Sequence, residues 1–348
     1  MSRKVNSKQS TRWIISREQL VEDFRKIGLN KSDHVAVTLS LKSIGYIKYG
    51  PDEFIDALLD VVGPNGTIMV NTFTDHFPVS SIPTGYVFDR ESTPTRNSIV
   101  CETLRKRKDA KRSKHPTCSV AAVGKQAEYL IEGHNERSEH FLPYSKLAEI
   151  DGKYLCIGIG GRLVAIRHEA QSQSGLSSVV PFYRGVKYKT GQQEQKLFIQ
   201  KQPGCVTQLP KLVPDLREKG ILKTGKIGMA QAYVASAREL IDAMTMMLKE
   251  KTELNLCDDI LCLWCRELER RMKLYNEIEN ARVFQKNNVI TKFVALINGI
   301  RLNRFNLLVY QEGEGKFADE NKQTRLQMVS NFLKDINLAV RMKLHSKK

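Results

Sequence analysis

The stretch over residues 37–74 alternates apolar and polar positions in a way that predicts strand, loop, helix and strand in turn. The apolar run that begins at Val37 ends in a small polar loop, SLKS at residues 40–43. Pro51 then stands at the first turn of an amphipathic helix, and GPNG at residues 63–66 predicts a turn into a second strand. This order predicts an α/β unit with a polar loop at a strand end.

The later part of the chain adds further elements and a helical tail. Residues 216–228 predict a helix end, a strand and a turn, and residues 230–251 predict one helix rich in good helix formers. Heptad-like apolar positions beyond residue 265 predict amphipathic helices. We therefore expect a basic flexible N-terminus over residues 1–14, an α/β domain over 15–265 with a central mixed sheet flanked by helices, and a helical C-terminal extension over 266–348.

Composition adds limits to this expectation. The 348 residues are 41% hydrophobic, which suffices for one large core and a smaller appendage. The sequence has no apolar run long enough to cross a membrane, and its N-terminal residues are basic and polar, which predicts a cytoplasmic protein without membrane contact. Seven scattered cysteines form an odd set, so reduced thiols are expected in place of a disulfide framework.

The formal net charge of +17 raises the question of an anionic partner. The densest basic cluster lies at residues 105–114, after a helical segment that begins at Ile99. It has no interleaved aromatic residues and no nucleic-acid motif, so nucleic acid is disfavoured. A solvated helix face is the preferred interpretation, and contact with ligand phosphates is the second.

Five sequence blocks, in unbroken order over about residues 15–190, resemble one family. The first is the α/β unit described above, and the others follow it along the chain. They are FDRESTP at residues 88–94, RSKHPTCSVAA at 112–122, LAEIDGK at 147–153, and GIG at 158–160 with His168 eight residues later. Together they resemble the antibiotic N-acetyltransferase family, which is typified by the aminoglycoside 3-N-acetyltransferases.

The resemblance implies an acetyl-CoA-dependent enzyme that acetylates an amino group of an aminoglycoside or amino sugar. It places His168 at the position of the family's histidine, and a side chain with a pKa near 6.5 is suited to accept the proton of the attacking amine. Gln171 stands one helical turn later, where the family commonly has a glutamate, and would orient the imidazole. Arg162 stands six residues before the histidine, where the family has Asp or Asn, and is expected to lower the pKa of His168.

The resemblance also implies binding residues. Small hydroxyl residues at a strand end leave backbone N–H groups that can bind the anionic parts of a coenzyme. The residues predicted to contact the coenzyme are Ser40, Leu41, Lys42, Ser43, Arg112 and Ser119. Those predicted to contact the acceptor are Asn71, Asp75, Asp89 and His115. The basic composition favours a neutral or anionic amino sugar over a polycationic aminoglycoside.

Departures from the family pattern leave a second hypothesis open. Gln171, Arg162 and Cys118 replace residues that the family commonly has at these positions, so the chain could be a catalytically degenerate binding or assembly protein. Its C-terminal helices would then carry the function, through packing, self-association or binding to an anionic surface. A nucleophilic pair of Cys118 and His115 is a third and weaker alternative.

Three cysteines near the end of the α/β domain have a spacing that could suit a metal. Cys257, Cys262 and Cys265 form a C-x4-C-x2-C group, which could hold zinc only if a fourth ligand approached. Their apolar neighbours favour buried free thiols. No metal is therefore predicted.

Overall fold

The computed structural model describes residues 14–175, 183–191, 194–201, 204–205 and 211–284. The chain divides into two compact units, Met1–Tyr275 and Asn276–Lys348. Except for the end of one helix, the second unit lies outside the described residues. The predictions for the N-terminal segment and for the helices after Phe284, including self-association, therefore stay predictions.

Strands and helices alternate along the first unit, as expected for an α/β chain. The described elements are β1 (Ile14–Ile15), α1 (Arg17–Lys26), β2 (His34–Leu39), α2 (Leu41–Ile44), β3 (Tyr46–Ile47), α3 (Gly50–Val62), β4 (Thr67–Asn71), β5 (Phe77–Pro78), β6 (Val87–Phe88), α4 (Ile99–Lys106), β7 (Lys111–Arg112), β8 (Val120–Gly124), α5 (Ala127–Ile131), α6 (Leu142–Glu149), β9 (Lys153–Ile157), α7 (Ile166–Gln173), β10 (Tyr183–Lys189), β11 (Gln195–Lys201), α8 (Val213–Glu218), β12 (Lys223–Ile227), β13 (Ala230–Ser236), α9 (Ala237–Glu250) and α10 (Leu263–Phe284). Short 3-10 turns cover Val79–Ser81 and Thr252–Asn255.

Within the described residues, seven strands form the main sheet in the order β12-β13-β9-β2-β4-β8-β7. The three central strands, β9, β2 and β4, are parallel, with Val35 of β2 opposite Lys153 and Ile68. The outer pairings are antiparallel. The predicted mixed sheet is therefore confirmed.

Helices cover both faces of this sheet because successive strand residues point to opposite sides. In β2, Val35 and Val37 pack with α1, α3 and α4, while Ala36 between them packs with α6, α7 and α9. All three side chains are almost fully buried. The strands thus read as continuous apolar runs, as is typical of a parallel sheet buried on both faces.

The helix predicted over residues 230–251 is correct only in its second part. Ala230–Ser236 forms strand β13, which pairs with β9 and with β12. Ser236 then acts as N-cap, and its hydroxyl accepts a hydrogen bond from the backbone N–H of Glu239 at 3.4 Å. Sheet pairing therefore outweighs helix propensity before Ser236.

A second, smaller sheet contains β11, β10 and β5, and β6 pairs with β10 in parallel. Its longest strands are β10 and β11, which pair antiparallel from Tyr183 to Lys201. Phe88, Val186 and Phe198 are among the residues of its small apolar cluster.

The arginines of the basic cluster at residues 105–114 are held against the protein, whereas its four lysines are exposed. Arg105 pairs with Glu102 at 2.7 Å and its side chain is 7% exposed, so the prediction of a solvated helix face is wrong for this residue. Arg107 bonds Asp56 at 2.9 Å, beyond the end of α4. The contact of Arg107 therefore joins the segment after α4 to α3. Among the described residues, no helix is both long and apolar enough to cross a membrane.

Gly124 provides a test of the junction between β4 and β8. Its φ is +113°, and an added Cβ would lie 2.2 Å from the carbonyl oxygen of Gly66. We expect Gly124→Ala to lower the free energy of unfolding by roughly 3 kcal/mol in denaturant titration, through backbone strain and this clash. Gly85→Ala is the control, because its Cβ would meet nothing within 4 Å. Equal stability of the two variants would contradict this account.

Candidate active site

The carboxyl ends of the three central parallel strands meet at one edge of the main sheet, which is the usual ligand edge of open α/β sheets. Ser40 follows β2, Ser43 lies in the short helix α2, and the loop after β9 begins at Gly158. Ser43 Oγ lies 3.0 Å from both the Ser40 hydroxyl oxygen and the carbonyl oxygen of Gly158. A Cβ at Gly158 would lie 2.5 Å from the Cβ of Ser43. The absence of a side chain at Gly158 thus allows the two loops to touch.

The same loop presents groups that suit an anionic ligand. Helix α2 begins at Leu41, so the N–H groups of Leu41 and Lys42 have no partner within the helix. Lys42 and Ser43 are exposed, and Ser40 and Leu41 are partly exposed. Backbone donors, hydroxyls and an ammonium are the groups that phosphates and amide carbonyls bind. The residues present at this edge therefore fit a coenzyme that carries phosphates and amides.

Arg112 and Ser119, also predicted to bind the coenzyme, lie in the interior. The Arg112 guanidinium donates to the carbonyl oxygens of Thr93 at 2.6 Å, Arg90 at 3.0 Å and Thr72 at 3.1 Å, and to Ser119 Oγ at 3.2 Å. Burial lowers the pKa of Arg112 to about 10. These contacts hold the loop after β4 against the segment around residue 90. In this structure the Arg112 and Ser119 side chains therefore bind other segments of the protein.

Two of the predicted acceptor residues lie at or after the end of β4. Asn71 is 1% exposed, and its Oδ1 accepts a hydrogen bond from the Tyr144 hydroxyl at 2.8 Å. Its Nδ2 finds no hydrogen-bond partner among the described residues. Asp75 is exposed and lies 3.7 Å from Arg96. Asp75 therefore offers a carboxylate to solvent, whereas the Asn71 amide is enclosed.

The carboxylate of Asp89 binds groups of the protein itself. Its Oδ1 accepts the backbone N–H groups of Glu91 and Ser92, and its Oδ2 pairs with Lys189 at 2.8 Å. The ion pair with Lys189 lowers the pKa of Asp89 to about 2, which the two backbone donors reinforce. Asp89 therefore fixes a turn to strand β10, and no described contact joins it to His168.

His115 lies among three neighbouring histidines and stacks on one of them. Its ring centre is 4.8 Å from that of His134 and 5.5 Å from that of His140. Its Nδ1 accepts the backbone N–H of Cys118 at 3.1 Å, so the thiol of Cys118 is not its partner at this nitrogen. Burial raises the pKa of that thiol to about 11. The nucleophilic pair is therefore not formed in this structure.

His168 projects from the first turn of α7, and the backbone that leads into this helix is strained. Leu163 and Ala165 both have positive φ, 38° and 68°, although neither is glycine. Both are buried, which supplies packing energy to offset the strain. The ring of His168 stacks on that of Phe141, with centres 5.4 Å apart. The turn and the stack together fix the direction of the imidazole.

A chain of hydrogen bonds determines which nitrogen of His168 carries the proton. The carbonyl oxygen of Thr252 can only accept, so Asn255 Nδ2 donates to it at 3.2 Å. Asn255 Oδ1 then accepts from Gln171 Nε2 at 2.8 Å, and Gln171 Oε1 faces His168 Nδ1 at 2.6 Å. Nδ1 must therefore carry hydrogen, and in the neutral ring Nε2 is left with the free electron pair.

The protonated form of His168 is disfavoured. The side chain is 8% exposed, and burial is the main cause that lowers its pKa to about 3, with the charge of Arg167 adding to it. Arg162 is exposed and does not appear among these causes, so its predicted effect has no support here. Glu169 accepts a hydrogen bond from the Ser145 hydroxyl at 2.6 Å and does not bond His168. Gln171 alone has the predicted contact.

Sequence reasoning missed three parts of this site. Asn255 lies 84 residues from Gln171, and Phe141 comes from the start of α6. Gly204 approaches so closely that an added Cβ would be 2.7 Å from His168 Nδ1. No local signal marks Asn255 or Phe141, whereas the Pro203-Gly204 pair could have suggested a tight backbone approach.

Two surface clefts lie elsewhere on the described part of the chain. One, of about 670 Å³, borders α8 and β12, and the other, of about 240 Å³, borders α6, α7 and α9. Neither is lined by a predicted site residue. The candidate site is therefore defined by its strand ends and hydrogen bonds.

The fold and this site agree with a known class of protein, the α/β acetyltransferases. Residues 36–249 match the family model described as aminoglycoside 3-N-acetyltransferase, and they make up more than half of the chain. The chain belongs to this family, which confirms the resemblance of its motifs. It is accordingly an acetyltransferase, with acetyl-coenzyme A as its co-substrate.

Individual relatives are more distant. The chain is 27% identical over 271 residues to aminoglycoside N(3)-acetyltransferase VII of Streptomyces paromomycinus, covering 68% of this chain and 92% of that protein. It is 26% identical to aminoglycoside N(3)-acetyltransferase VIII of Streptomyces fradiae, covering 65% and 89%.

Solved structures share the fold at lower identity. The apoenzyme of aminoglycoside acetyltransferase AAC(3)-IVa superposes with a TM-score of 0.64 at 21% identity, covering 76% of this chain and 100% of that one. The binary complex of AAC-IIIb with CoASH gives 0.61 at 21% identity, covering 69% and 98%. These likenesses confirm the α/β fold.

The buried histidines predict acid sensitivity. Burial lowers the pKa of His134 and of His168 to about 3, so the unfolded chain binds more protons below pH ~6.5. Their stabilisation is complete above that pH and is lost as pH falls from it toward 3. At pH 5 each histidine is expected to cost about 2 kcal/mol of unfolding free energy.

Thermal unfolding between pH 7.5 and 5 checks this expectation. Asp89 and Glu102 have pKa values lowered to about 2 by their ion pairs, so their contribution is lost only below pH ~4. His134→Gln should reduce the proton uptake on unfolding by about one in this window. A melting temperature independent of pH between 7.5 and 5 would contradict the assignment of neutral buried histidines.

Proposed function

We propose that the protein transfers the acetyl group of acetyl-coenzyme A to a primary amine of an aminoglycoside or amino sugar, with His168 as general base. The observation that carries the proposal is the directed hydrogen-bond chain that leaves His168 Nε2 unprotonated. The names of the relatives from both Streptomyces species support an aminoglycoside acceptor. The overall positive charge keeps other amino sugars in consideration.

The coenzyme supplies an activated acyl thioester. The amine nitrogen attacks the thioester carbon, the new N–C bond forms, and the C–S bond breaks so that the sulfur leaves with its electron pair. His168 Nε2 takes the proton released by the amine and can return it to the departing thiolate. The residues of this chain thus have two tasks. They orient the acceptor, and His168 holds the amine proton until the thiolate takes it.

The electrostatic surroundings of His168 set its strength as a base. At neutral pH the ring is unprotonated, which is the form that accepts a proton. Gln171 can orient the ring through Nδ1, but its neutral amide does not balance the charge that develops when Nε2 is protonated. The departing thiolate is the countercharge that the reaction itself provides. Proton transfer is therefore expected to be closely coupled to C–S cleavage.

The ligand edge accounts for the remaining roles. Ser40, Leu41, Lys42 and Ser43 are proposed to contact the coenzyme, because their donors stand at the carboxyl ends of parallel strands. Asp75 is proposed to contact a cationic group of the acceptor, since its carboxylate is exposed. Arg112, Ser119, Asn71, Asp89 and His115 are proposed to shape the pocket through the contacts described above.

The competing hypothesis is a catalytically degenerate binding protein. The replacement of a carboxylate by Gln171, together with the lowered pKa of His168, is the observation in its favour. Coenzyme binding is common to both hypotheses, so only turnover separates them.

Thiol release from acetyl-coenzyme A, measured with a panel of aminoglycosides and amino sugars, is the decisive assay. Acceptor-dependent release is expected, and His168→Ala should lower kcat/KM by about 10²–10⁴-fold while coenzyme binding is kept. His34→Gln is the matched control, because His34 lies at the opposite, N-terminal end of β2. Coenzyme binding without release for any acceptor would favour the degenerate protein.

Gln171→Glu tests whether residue 171 acts through His168. A carboxylate at this position would stabilise the imidazolium and raise the pKa of His168, which should bring an ascending limb into the pH profile of kcat/KM. Gln171→Leu should lower kcat at all pH values, because Nδ1 loses its acceptor. If both variants kept the wild-type pH profile and rate, the proposed positioning role would be wrong.

A further inference from the structure

A fourth cysteine joins the three that the sequence places close together. Cys205, which lies 57 residues before Cys262, brings its sulfur 3.4 Å from the Cys262 sulfur. The sulfur atoms of Cys205, Cys257, Cys262 and Cys265 all lie within 4.8 Å of one another. The condition that the spacing alone left unmet, a fourth ligand, is therefore satisfied by the fold.

The size of this cluster suits a tetrahedral metal ion. Zinc binds thiolate sulfur at about 2.3 Å, which places the four sulfurs of a tetrahedron about 3.8 Å apart. The observed 3.4 Å and the upper bound of 4.8 Å bracket that separation. Three of the four cysteines are almost fully buried, and Cys262 is partly exposed. The chain can thus close around an ion without a large rearrangement.

We infer that Cys205, Cys257, Cys262 and Cys265 bind one structural zinc ion. Four thiolate ligands fill the tetrahedral shell and leave no open position for water, which is the arrangement of structural zinc sites. Binding replaces four S–H bonds by four Zn–S bonds, and the protons pass to solvent.

The surroundings of the cluster fit a negatively charged site. Zn²⁺ with four thiolates carries a net charge of −2. The backbone N–H of Cys257 donates to the Cys265 sulfur at 3.2 Å, a contact that a thiolate strengthens. Helix α10 begins at Leu263, between Cys262 and Cys265, so the positive end of its dipole lies at the cluster.

Arg167 supplies an independent indication of negative charge. It is 8% exposed, and the groups that act on its charge within the described part of the chain are two thiols and the Tyr154 hydroxyl, not a carboxylate. Its Nε finds no hydrogen-bond partner there. Its guanidinium does interact electrostatically with the thiols of Cys205 and Cys265. A buried cation without a counterion is costly, and a tetrathiolate zinc site provides that counterion.

The zinc site also bears on the geometry around His168. Gly204 precedes the ligand Cys205 and packs against the ring of His168 and the amide of Gln171. Asn255 lies two residues before the ligand Cys257 and bonds Gln171. Zinc would therefore fasten together the two segments that flank this pair. The zinc assignment itself does not rest on the proposed function, because its test measures metal and not turnover.

The test is the metal content and coordination of the full-length protein, purified without a chelator or a histidine tag. Roughly one zinc per chain is expected, with X-ray absorption showing four sulfur neighbours at about 2.3 Å. Cys265→Ser and Cys262→Ser should each lower bound zinc at least about tenfold, whereas the control Cys101→Ala, a buried thiol of α4, should keep it.

Wild-type spectroscopy keeps the test decisive if a variant fails to fold. Cobalt substitution should give the visible bands of a tetrahedral tetrathiolate, and zinc removal by a strong chelator should lower the melting temperature by several degrees. Four titratable thiols without metal after incubation with zinc, or a Cys205–Cys262 disulfide in nonreduced peptides, would overturn the inference. So would zinc with nitrogen or oxygen ligands, or iron in its place.

Discussion

The contact between His168 Nδ1 and the Gln171 amide oxygen is the interaction on which the candidate chemistry depends. A ring buried to this degree cannot keep a proton on both nitrogens at neutral pH, so it must be held in one of its two neutral forms. The direction is decided at the far end of the hydrogen-bond chain, where the Thr252 carbonyl can only accept. A main-chain atom of a 3-10 turn thus determines where an imidazole lone pair lies. No charged group is needed for this orientation.

The placement of that ring follows from the sheet. Strands β9, β2 and β4 end at one edge, and contact between Ser43 and Gly158 holds the first two of their loops together. The chain then enters α7 through two strained residues, Leu163 and Ala165. Such strain persists only where the surrounding structure over-determines it, and here both side chains are buried in the core. Packing of Leu163 and Ala165 thus offsets the backbone strain that sets the direction of the His168 side chain.

What the sequence predicts well is local. The unit β2-α3-β4 is encoded by apolar alternation, by Pro51 in the first turn of the helix and by a turn before Thr67, and each signal acts within a few residues. The contact of His168 with Gln171 is also local, because residues three apart share a helix face. These features required no knowledge of the tertiary fold.

What the sequence predicts poorly depends on partners far away along the chain. Residues 230–236 have helical composition, yet sheet neighbours on both sides make them a strand. Arg107 belongs to a basic run, but its guanidinium bonds Asp56, which lies 51 residues away in the sequence. Asn255 is polar and unremarkable in sequence, and only the fold brings it to Gln171. In each case a contact between residues distant in sequence outweighs the local signal.

Arg167 shows why the cysteine cluster and the candidate active site are best considered together. Its neighbour His168 is neutral or positive and so cannot balance its charge, and Glu169 accepts a hydrogen bond from Ser145. With four neutral thiols, Arg167 would be a buried cation without compensation, which is a strongly destabilising arrangement. With zinc bound, the same four sulfurs become the anionic partner. The ion would then fasten Cys205 and Cys257 and, through Gly204 and Asn255, limit the movement of the amide that orients His168. A neutral glutamine can orient an imidazole only if it is itself held in place. Zinc would supply that restraint, because Gly204 directly precedes one ligand and Asn255 lies two residues before another.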